Sequence, residues 1–192
     1  MIILPAQVGE HVALTELALR SVQQGWGYPQ EFMAWEPEAI TVEPEHISGA
    51  ITNVLVSFAG PHRVRCAHTP PPLAALQGEA GRLLGFYVLM GVPPEMELSR
   101  MMVEPDAIGT GCGRRMWDHA VETASRLGVT AITLDADPNA EPFYLRMGAE
   151  TVGQHEGEPP MMPGWRVKKM RYAIPAPNQP PPAGRRRQYK TR

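Results

Sequence analysis

The chain has 192 residues, 43% of them hydrophobic and 20% charged, which is the size and composition of one globular domain with a buried core. The net charge is −2, but five basic residues and no acidic ones follow Ile174, so residues 1–174 alone carry −7. This acidic body argues against a nucleic-acid-binding domain, because phosphate recognition needs a basic face on the folded unit.

The two ends of the chain bear on location and organisation. The first ten residues, MIILPAQVGE, lack a basic leader and open on four apolar residues, so we expect no signal peptide, no transmembrane span and a cytoplasmic protein. The cysteines Cys66 and Cys112 are too few for a disulfide framework, which is consistent with a reducing compartment. We predict a folded domain over residues 1–174 and a flexible, proline-rich basic tail over 175–192, with contact to an anionic partner as the alternative for the tail.

The amino-terminal half predicts helix and then strand. Apolar residues recur at helical spacing from Glu10 to Val22 and favour an amphipathic helix; they are Val12, Leu14, Leu17, Ala18 and Val22. A second short helix is expected around Phe32 and Trp35. Branched and aromatic residues then predict strands over 53–59 and 82–90.

Two clusters in this half suggest binding, and each has a simpler interpretation. Trp26, Tyr28 and Phe32 lie among glycines and prolines, and are either core residues or part of a lid over an acceptor substrate. His62, Cys66 and His68 would share one face of a strand. A metal site needs more ligands than these, so we predict no metal.

The carboxyl-terminal half alternates strand and helix. A strand is predicted over Glu95–Val103, followed by AIGTGCGRRM (107–116) and a helix that ends at Gly128. A short strand over 130–136 comes next, and then a helix capped by Asn139 and ended by Gly148. Strands over 150–153 and 165–172 complete the expected sheet.

The three alternating glycines of AIGTGCGRRM raise the question of a phosphate site. Glycine permits positive φ and close approach of a ligand, and a helix starting there offers free N–H groups to an anion. The spacing fits neither the dinucleotide fingerprint, whose third glycine position is Arg114, nor the triphosphate loop, which needs Gly-Lys-Ser/Thr. From the residues alone, a phosphate cradle and a tight strand-to-helix turn stay equally open.

The surrounding sequence resembles the GNAT superfamily of acyl-CoA-dependent N-acetyltransferases. The residues from Glu97 to Gly153 are similar to the family's strand ending in Val-x-Pro, its Gln/Arg-x-x-Gly-x-Gly/Ala loop and helix, and its Ala-x-x-Phe-Tyr-x-x-x-Gly segment. The resemblance extends less closely back to Asn53. It implies an α/β (α+β type) domain: a mixed, twisted sheet of six to seven strands flanked by helices, with a coenzyme A cleft between splayed central strands.

The resemblance also implies how acetyl-CoA is held, without a metal. Backbone groups of Met101, Met102 and Val103 would pair with the pantetheine arm. The pyrophosphate would lie on the loop formed by Ile108, Gly109, Thr110, Gly111, Cys112 and Gly113, with Arg114 at the helix start.

The sequence departs from the family pattern at two places. The family's Gln or Arg falls on Ile108, which has no side-chain donor, so Arg114 or Arg115 would have to compensate. Where many members carry Asn, this chain has Asp137, with Asn139 two residues later. We favour Asn139 as the neutral donor to the cofactor.

Candidate catalytic residues follow from the chemistry of acyl transfer. An amine with a pKa near 10 must lose a proton, for which Glu97 or a chain of waters is the candidate. The alternative for Glu97 is a surface carboxylate or an ion pair with a neighbouring arginine. A backbone N–H near Met101 would polarise the carbonyl. Tyr144 is the candidate acid for the departing thiolate. His155 is a candidate for the rim of the acceptor pocket, whereas His119 is expected to be exposed.

These inferences together predict an N-acetyltransferase that moves acetyl from acetyl-CoA to a primary amine of a small molecule or peptide in a ternary complex. The alternative is a non-catalytic protein that binds or senses acyl-CoA, which the loss of a polar residue at Ile108 favours and the presence of Tyr144 opposes. A third possibility is an interaction module that acts through the basic tail. No nucleic acid or membrane partner is expected, and the protein would be a monomer or homodimer.

Overall fold

The structure, a computed structural model, describes residues 1–25, 40–58, 81–156 and 166–175. The chain divides into two compact units. The first unit comprises Met1–Gly91 and Leu98–Ala120, and the second comprises Val92–Glu97 and the chain from Val121 onward. Each unit contains residues that the sequence places in the candidate site, so the two are described in turn.

The first unit contains the amino-terminal helices and the strands that precede the glycines. Its elements are β1 (Ile2–Pro5), a 3-10 turn (Val8–Glu10), α1 (His11–Arg20), a π turn (Ser21–Gly25), α2 (Pro44–Ser48), β2 (Ile51–Phe58), β3 (Gly81–Val92), β4 (Glu95–Val103) from Leu98 onward, a second 3-10 turn (Pro105–Ala107) and α3 (Cys112–Arg126) as far as Ala120. β1, which we did not predict, pairs antiparallel with β2. Four residues are too few to show the alternation that marks a strand.

The core of the first unit is built on one face of α1. Leu14, Leu17 and Ala18 are fully buried, as their helical spacing predicts, and they lie in one cluster with residues of β2 and β3 such as Phe86. Val12, which we counted in the same apolar set, is 56% exposed. It lies two residues from Leu14 and therefore faces nearly the opposite side of the helix.

Gly85 of β3 lies where two other elements approach that strand closely. A Cβ at position 85 would lie 2.6 Å from the Met102 carbonyl oxygen and 2.9 Å from Met116 Cε. The methionine side chain is able to move, but the backbone carbonyl is held in the sheet. Only glycine therefore fits at this position.

We expect Gly85→Ala to lower the free energy of unfolding by about 1–3 kcal/mol, as overpacking of a core does. Chemical denaturation of the variant and the wild type measures the difference. Gly153→Ala is the matched control, because a Cβ at that strand position lies 3.9 Å from Lys169 Cβ, an ordinary contact. Equal stabilities of Gly85→Ala and wild type would show that the strands part more easily than the structure indicates.

The second unit contains the strands that follow α3. Its elements are the first three residues of β4, the end of α3, β5 (Ala131–Ala136), α4 (Glu141–Met147), β6 (Glu150–Glu156) and β7 (Arg166–Ala173). Within the described residues, seven strands form a mixed sheet in the order β1-β2-β3-β4-β5-β7-β6. β4 and β5 are parallel, and β7 is antiparallel to both β5 and β6. The predicted mixed sheet of six to seven strands flanked by helices is confirmed.

Three strands of the second unit, β4, β5 and β7, bury side chains of one parity, whereas β6 is exposed along almost its whole length. The buried side chains include Met96, Ile132, Leu134, Met170 and Tyr172. The charged side chains of the other parity are exposed, namely Glu95, Glu97, Asp135 and Lys169. This alternation is typical of a sheet that packs on one side and meets solvent on the other.

The start of α4 differs from the prediction. Asn139 does not cap the helix; instead Asp137 Oδ1 accepts hydrogen bonds from the N–H groups of Asn139 (2.7 Å) and Ala140 (3.0 Å). Asp137 is placed for this role because its carboxylate lies just before the first free N–H groups of the helix, which attract negative charge. At the other end Gly148, with φ of 93°, ends the helix as predicted.

Candidate functional site

The segment from Glu104 to Arg114, here called the glycine loop, joins β4 to α3 through consecutive turns. The N–H of Ala107 donates to the Glu104 carbonyl (2.8 Å), and the N–H of Thr110 donates to the Ala107 carbonyl (3.3 Å). Thr110 Oγ1 also donates to that carbonyl, at 2.6 Å. Gly109 and Gly111 have φ of 81° and 95°, the left-handed region that glycine adopts without strain. The glycines are therefore needed for the shape of the loop.

The glycine loop leaves a row of backbone donors without an internal acceptor. Five backbone N–H groups of this loop donate to no carbonyl or side chain within the described residues. They belong to Gly109, Gly111, Cys112, Gly113 and Arg114. A Cβ at Gly109 or at Gly111 would meet no atom within 4 Å, so the space above these backbone positions is open. Because α3 begins at Cys112, the positive end of its dipole lies here too. The arrangement suits an anion with several oxygens, such as a phosphate.

Ile108, where the sequence departs from the family pattern, has a packing role. A Cβ at Gly25 would lie 2.7 Å from Ile108 Cδ1, so the isoleucine packs closely on the π turn that follows α1. The Ile108 N–H donates to the Pro105 carbonyl at 3.3 Å. The N–H of Ile108 is thus not left over for a ligand, and its side chain helps to anchor the loop.

Two arginines follow the glycines, and their surroundings differ. Arg115 Nη2 donates to the Met1 carbonyl at 2.9 Å. The Arg114 side chain is exposed and makes no hydrogen bond or ion pair within the described part of the chain. Of the two arginines that the sequence analysis offers as substitutes for the missing polar residue, Arg114 is the one with an uncommitted charge.

Four charged side chains surround the entry to the glycine loop. Arg20 of α1 holds Glu104 through two hydrogen bonds, Nε to Oε1 at 2.9 Å and Nη2 to Oε2 at 3.2 Å. Arg82 of β3 donates to Asp106 Oδ1 at 2.6 Å and lies 4.0 Å from Glu104 Oε1. The hydrogen bond from Arg82 lowers the pKa of the Asp106 carboxyl group. This network was not anticipated, because the residues that pair in it are 22 to 84 positions apart in sequence.

The end of β4 leads directly into the glycine loop. Met101 and Met102 are half-buried and Val103 is buried. The parallel register of β4 with β5 comprises three residue pairs, from Glu95 with Ala131 to Glu97 with Thr133. Met101, Met102 and Val103 lie beyond that register.

A buried chain of hydrogen bonds crosses the first unit beneath α3. Asn53 Nδ2 donates to Tyr87 Oη at 3.0 Å, and Tyr87 Oη lies 2.8 Å from His119 Nδ1. Tyr87 is fully buried and His119 is half-buried. The expectation that His119 is exposed is therefore wrong: as a residue of α3 it reaches a tyrosine of β3, and this contact fixes the helix that begins at the glycine loop.

In the second unit, Tyr144 lies on α4 and is 8% exposed. Its ring meets Phe143 edge to face, with centroids 5.1 Å apart. Burial, together with the Asp137 carboxylate, raises the pKa of the Tyr144 phenol well above its usual range. The hydroxyl group therefore stays protonated over the whole working range of an enzyme, and it is a hydrogen-bond donor at all those pH values.

Glu97 lies on the exposed face of the second unit's strands. The registers place it beside Thr133 of β5, which lies beside Arg171 of β7. Arg171 Nη2 is paired with Glu95 Oε1 at 2.7 Å. Among the described residues the exposed Glu97 carboxylate has no hydrogen bond or ion pair, so it is placed as the surface carboxylate that we considered as the alternative, and Arg171 is paired with Glu95.

His155 bridges two strands on the same unit. Its Nε2 lies 2.9 Å from Asp135 Oδ2, across β7, and its Nδ1 lies 2.9 Å from the Glu156 carbonyl oxygen. Both partners only accept hydrogen bonds, so the doubly protonated ring is the form that satisfies both contacts. The hydrogen bond to the Glu156 carbonyl and the one to Asp135 raise the pKa of His155.

We expect the His155–Asp135 pair to stabilise the fold at acidic pH and to lose that effect as the pH rises through the raised pKa of His155. Because the folded pKa is raised above the unfolded value of about 6.5, the contribution is complete below that pH and disappears as the pH rises through the folded pKa. Melting temperatures of wild type and His155→Gln, measured from pH 5.5 to 9.5, should converge at the alkaline end. Asp135→Asn should reproduce the curve of His155→Gln; a constant gap between wild type and either variant would contradict the charged pair.

The remaining predicted residues stand as follows. Trp26, Tyr28 and Phe32 lie outside the described residues, as do the histidines His62 and His68. Asn139 is exposed. Within the described part of the chain, no helix is long and apolar enough to cross a membrane, and no three His, Cys, Asp or Glu side chains cluster as metal ligands.

Comparison with known proteins identifies the family. Residues 73–170 match the family described as "Acetyltransferase (GNAT) domain". No curated protein matches the sequence. Solved structures with a similar fold include a GCN5-related N-acetyltransferase from Rhodopseudomonas palustris, with 19% identity and a TM-score of 0.65 over 90% of this chain and 95% of that one.

Two further structures extend the similarity. The ribosomal-protein-S18-alanine N-acetyltransferase from Escherichia coli has 16% identity and a TM-score of 0.61 over 93% of this chain and 97% of that one. The PaiA N-acetyltransferase from Thermoplasma acidophilum, solved with coenzyme A, has 16% identity and a TM-score of 0.60 over 90% of this chain and 98% of that one. At these identities the structures share the fold, while the family match covers half of the chain. The chain therefore belongs to the GNAT acetyltransferase family.

Proposed function

We propose that this protein transfers an acetyl group from acetyl-CoA to a primary amine by direct attack in a ternary complex. The observation that carries the proposal is the row of five backbone N–H groups without an internal acceptor at the glycine loop, in a chain of the GNAT family. Such donors hold an anion without a metal and without specific side chains. The diphosphate of acetyl-CoA is an anion of this kind.

The contacts in the structure support different roles for the residues predicted to bind the coenzyme. Gly109, Gly111, Cys112 and Gly113 offer their N–H groups, and Arg114 adds an uncommitted positive charge. Ile108 and Thr110 bind the loop to itself and to its surroundings instead. The pantetheine arm would pair with the backbone of Met101, Met102 and Val103, which lie beyond the register of β4 with β5.

Tyr144 is our candidate for stabilising the departing thiolate. The pKa of its phenol is raised, whereas a thiol has a pKa of about 8.5. Full transfer of the phenol proton to the sulfur is then uphill. The hydroxyl group acts best as a donor to the sulfur while negative charge develops there, until the amine proton or a solvent proton neutralises it.

Glu97 is our candidate for the base that accepts the proton from the amine, directly or through water. It is an exposed carboxylate without a partner in the described residues, on the same face as the His155–Asp135 and Glu95–Arg171 pairs. Asn139 and His155 remain predicted binding residues for cofactor and acceptor.

Acetyl-CoA titration followed by thiol release tests the function. The wild-type protein should gain thermal stability with acetyl-CoA and with coenzyme A, since a ligand that binds only the native state raises its stability. Thiol release should then be measured over a panel of polyamines, amino acids, aminoglycosides and peptides with free amino termini. No stabilisation by any acyl-CoA would exclude the proposal. Binding without release over the panel would favour the alternative, a protein that binds or senses acyl-CoA. A cytoplasmic location and a monomeric or homodimeric state stay predictions.

Glu97→Gln should lower kcat/KM about tenfold at neutral pH, because water can replace part but not all of the proton transfer. Glu95→Gln is the matched control, two residues away on the same strand but paired with Arg171. Equal kcat/KM in Glu97→Gln and wild type would remove Glu97 from the mechanism.

A further inference from the structure

The glycine loop is braced from α1 at two points that are far apart in sequence from it. Arg20, at the end of α1, binds both oxygens of Glu104. Five residues later, Gly25 at the end of the π turn receives the Ile108 side chain. One contact is ionic and the other apolar, and they hold positions four residues apart on the loop. The end of α1 and its π turn therefore form a support for this loop.

The ionic contact between Arg20 and Glu104 lies at a position where a displacement of Glu104 would also move the rest of the glycine loop. Glu104 is 9% exposed, and its N–H donates to the Leu84 carbonyl on β3 at 2.8 Å. Its own carbonyl accepts from Ala107, whose carbonyl in turn accepts from Thr110. A shift of Glu104 would thus pass through two successive turns to Gly109 and Gly111.

Removing the arginine would leave a largely buried carboxylate without its principal partner. A buried charge that loses its partner moves toward water or takes up a proton, since burial of an unpaired charge is unfavourable. Arg82 does not substitute, because its guanidinium lies 4.0 Å from Glu104 and is already bonded to Asp106.

We propose that Arg20 is a positioning residue for coenzyme binding: through Glu104, and together with the Ile108–Gly25 contact, it holds the glycine loop in the shape that presents its free N–H groups. The inference rests on the proposed function, since it assigns those groups to the coenzyme. It also explains how the chain binds without the family's polar residue at position 108. The loop is held in place from outside, and the backbone does the binding.

The test uses Arg20→Met, which keeps the length of the side chain and removes its charge and donors. Arg126→Met is the matched control, because Arg126 also lies in the last turn of a helix and, among the residues that the structure describes, bonds only to Thr123. We expect the Kd of coenzyme A and the KM for acetyl-CoA to rise about tenfold in Arg20→Met, with kcat at saturation within about twofold, because a misplaced binding group costs affinity. The charge exchange Arg20→Glu with Glu104→Arg should recover part of the affinity.

Hydrogen exchange provides a readout that does not depend on the ligand. The amides of Ala107, Ile108 and Thr110 should exchange faster in Arg20→Met, while those in the middle of α3 keep their protection. Unchanged exchange at the three amides, or faster exchange with an unchanged Kd, would overturn the positioning role. If wild-type protein bound no coenzyme A, the proposed function would be wrong. The exchange data would still show whether Arg20 holds the glycine loop in place.

Discussion

Tyr144→Phe is expected to lower kcat about 100-fold while the Kd of coenzyme A changes less than about twofold. Loss of a positioned proton donor typically costs a factor of this size, which corresponds to about 2.7 kcal/mol in the activation free energy. The ring remains to pack against Phe143, so the variant isolates the hydroxyl group. Steady-state kinetics with the best acceptor and calorimetry with coenzyme A measure the two quantities.

Tyr172→Phe is the matched control for this experiment. Tyr172 is also a buried tyrosine of the second unit but has no proposed role in the reaction. Each variant loses a buried hydroxyl group at a cost of about 1 kcal/mol in stability, so melting temperatures should fall alike while only Tyr144→Phe loses turnover. Equal kcat in Tyr144→Phe and wild type would remove the phenol from the mechanism.

The pH dependence gives a second check on Tyr144. Because the pKa of the buried phenol is raised, the hydroxyl group does not ionise between pH 6 and 10, and it should add no limb to the profile of kcat. A limb in that range that disappears in Tyr144→Phe would contradict the assignment of a permanently neutral donor.

Gly111→Ala is expected to weaken coenzyme A binding about 30-fold. An alanine at φ of 95° is strained by about 1–2 kcal/mol, and relief of that strain turns the peptide groups on either side. The N–H groups of Gly111 and Cys112 then no longer point at one anion. Partial loss of two hydrogen bonds to a charged group accounts for about 2 kcal/mol, or about 30-fold in Kd.

Gly128→Ala separates this effect from loss of stability. Gly128 has φ of 81°, and a Cβ there would also meet no atom within 4 Å, so the backbone strain is matched. Both variants should melt at similarly lowered temperatures, but Gly128→Ala should keep the wild-type Kd. Parallel losses of affinity in the two variants would mean that binding follows overall stability and not the geometry of the glycine loop.

Much of the architecture was predictable because it depends on local periodicity. The helix around Leu14 and Leu17, the strand of Glu95–Val103 and the end of α4 at Gly148 all follow from spacing and from the conformational freedom of glycine. β1 and the exposure of Val12 were not predicted. A four-residue strand is stabilised by the partner β2 and not by its own pattern, and a single apolar residue on a helix is too weak a signal to place it in the core.

The sequence predicts candidate residues for the site, but it does not predict the contacts that their side chains make. The amino-acid sequence alone determined the order of strand, glycine loop, helix and Phe-Tyr segment, and with it the family, because these are contiguous patterns. Only the tertiary structure decided that Ile108 packs on Gly25, that Arg20 holds Glu104, that His119 reaches Tyr87 and that His155 reaches Asp135. Each of these contacts joins side chains distant in sequence, and their partners are set by how the strands and helices pack against one another.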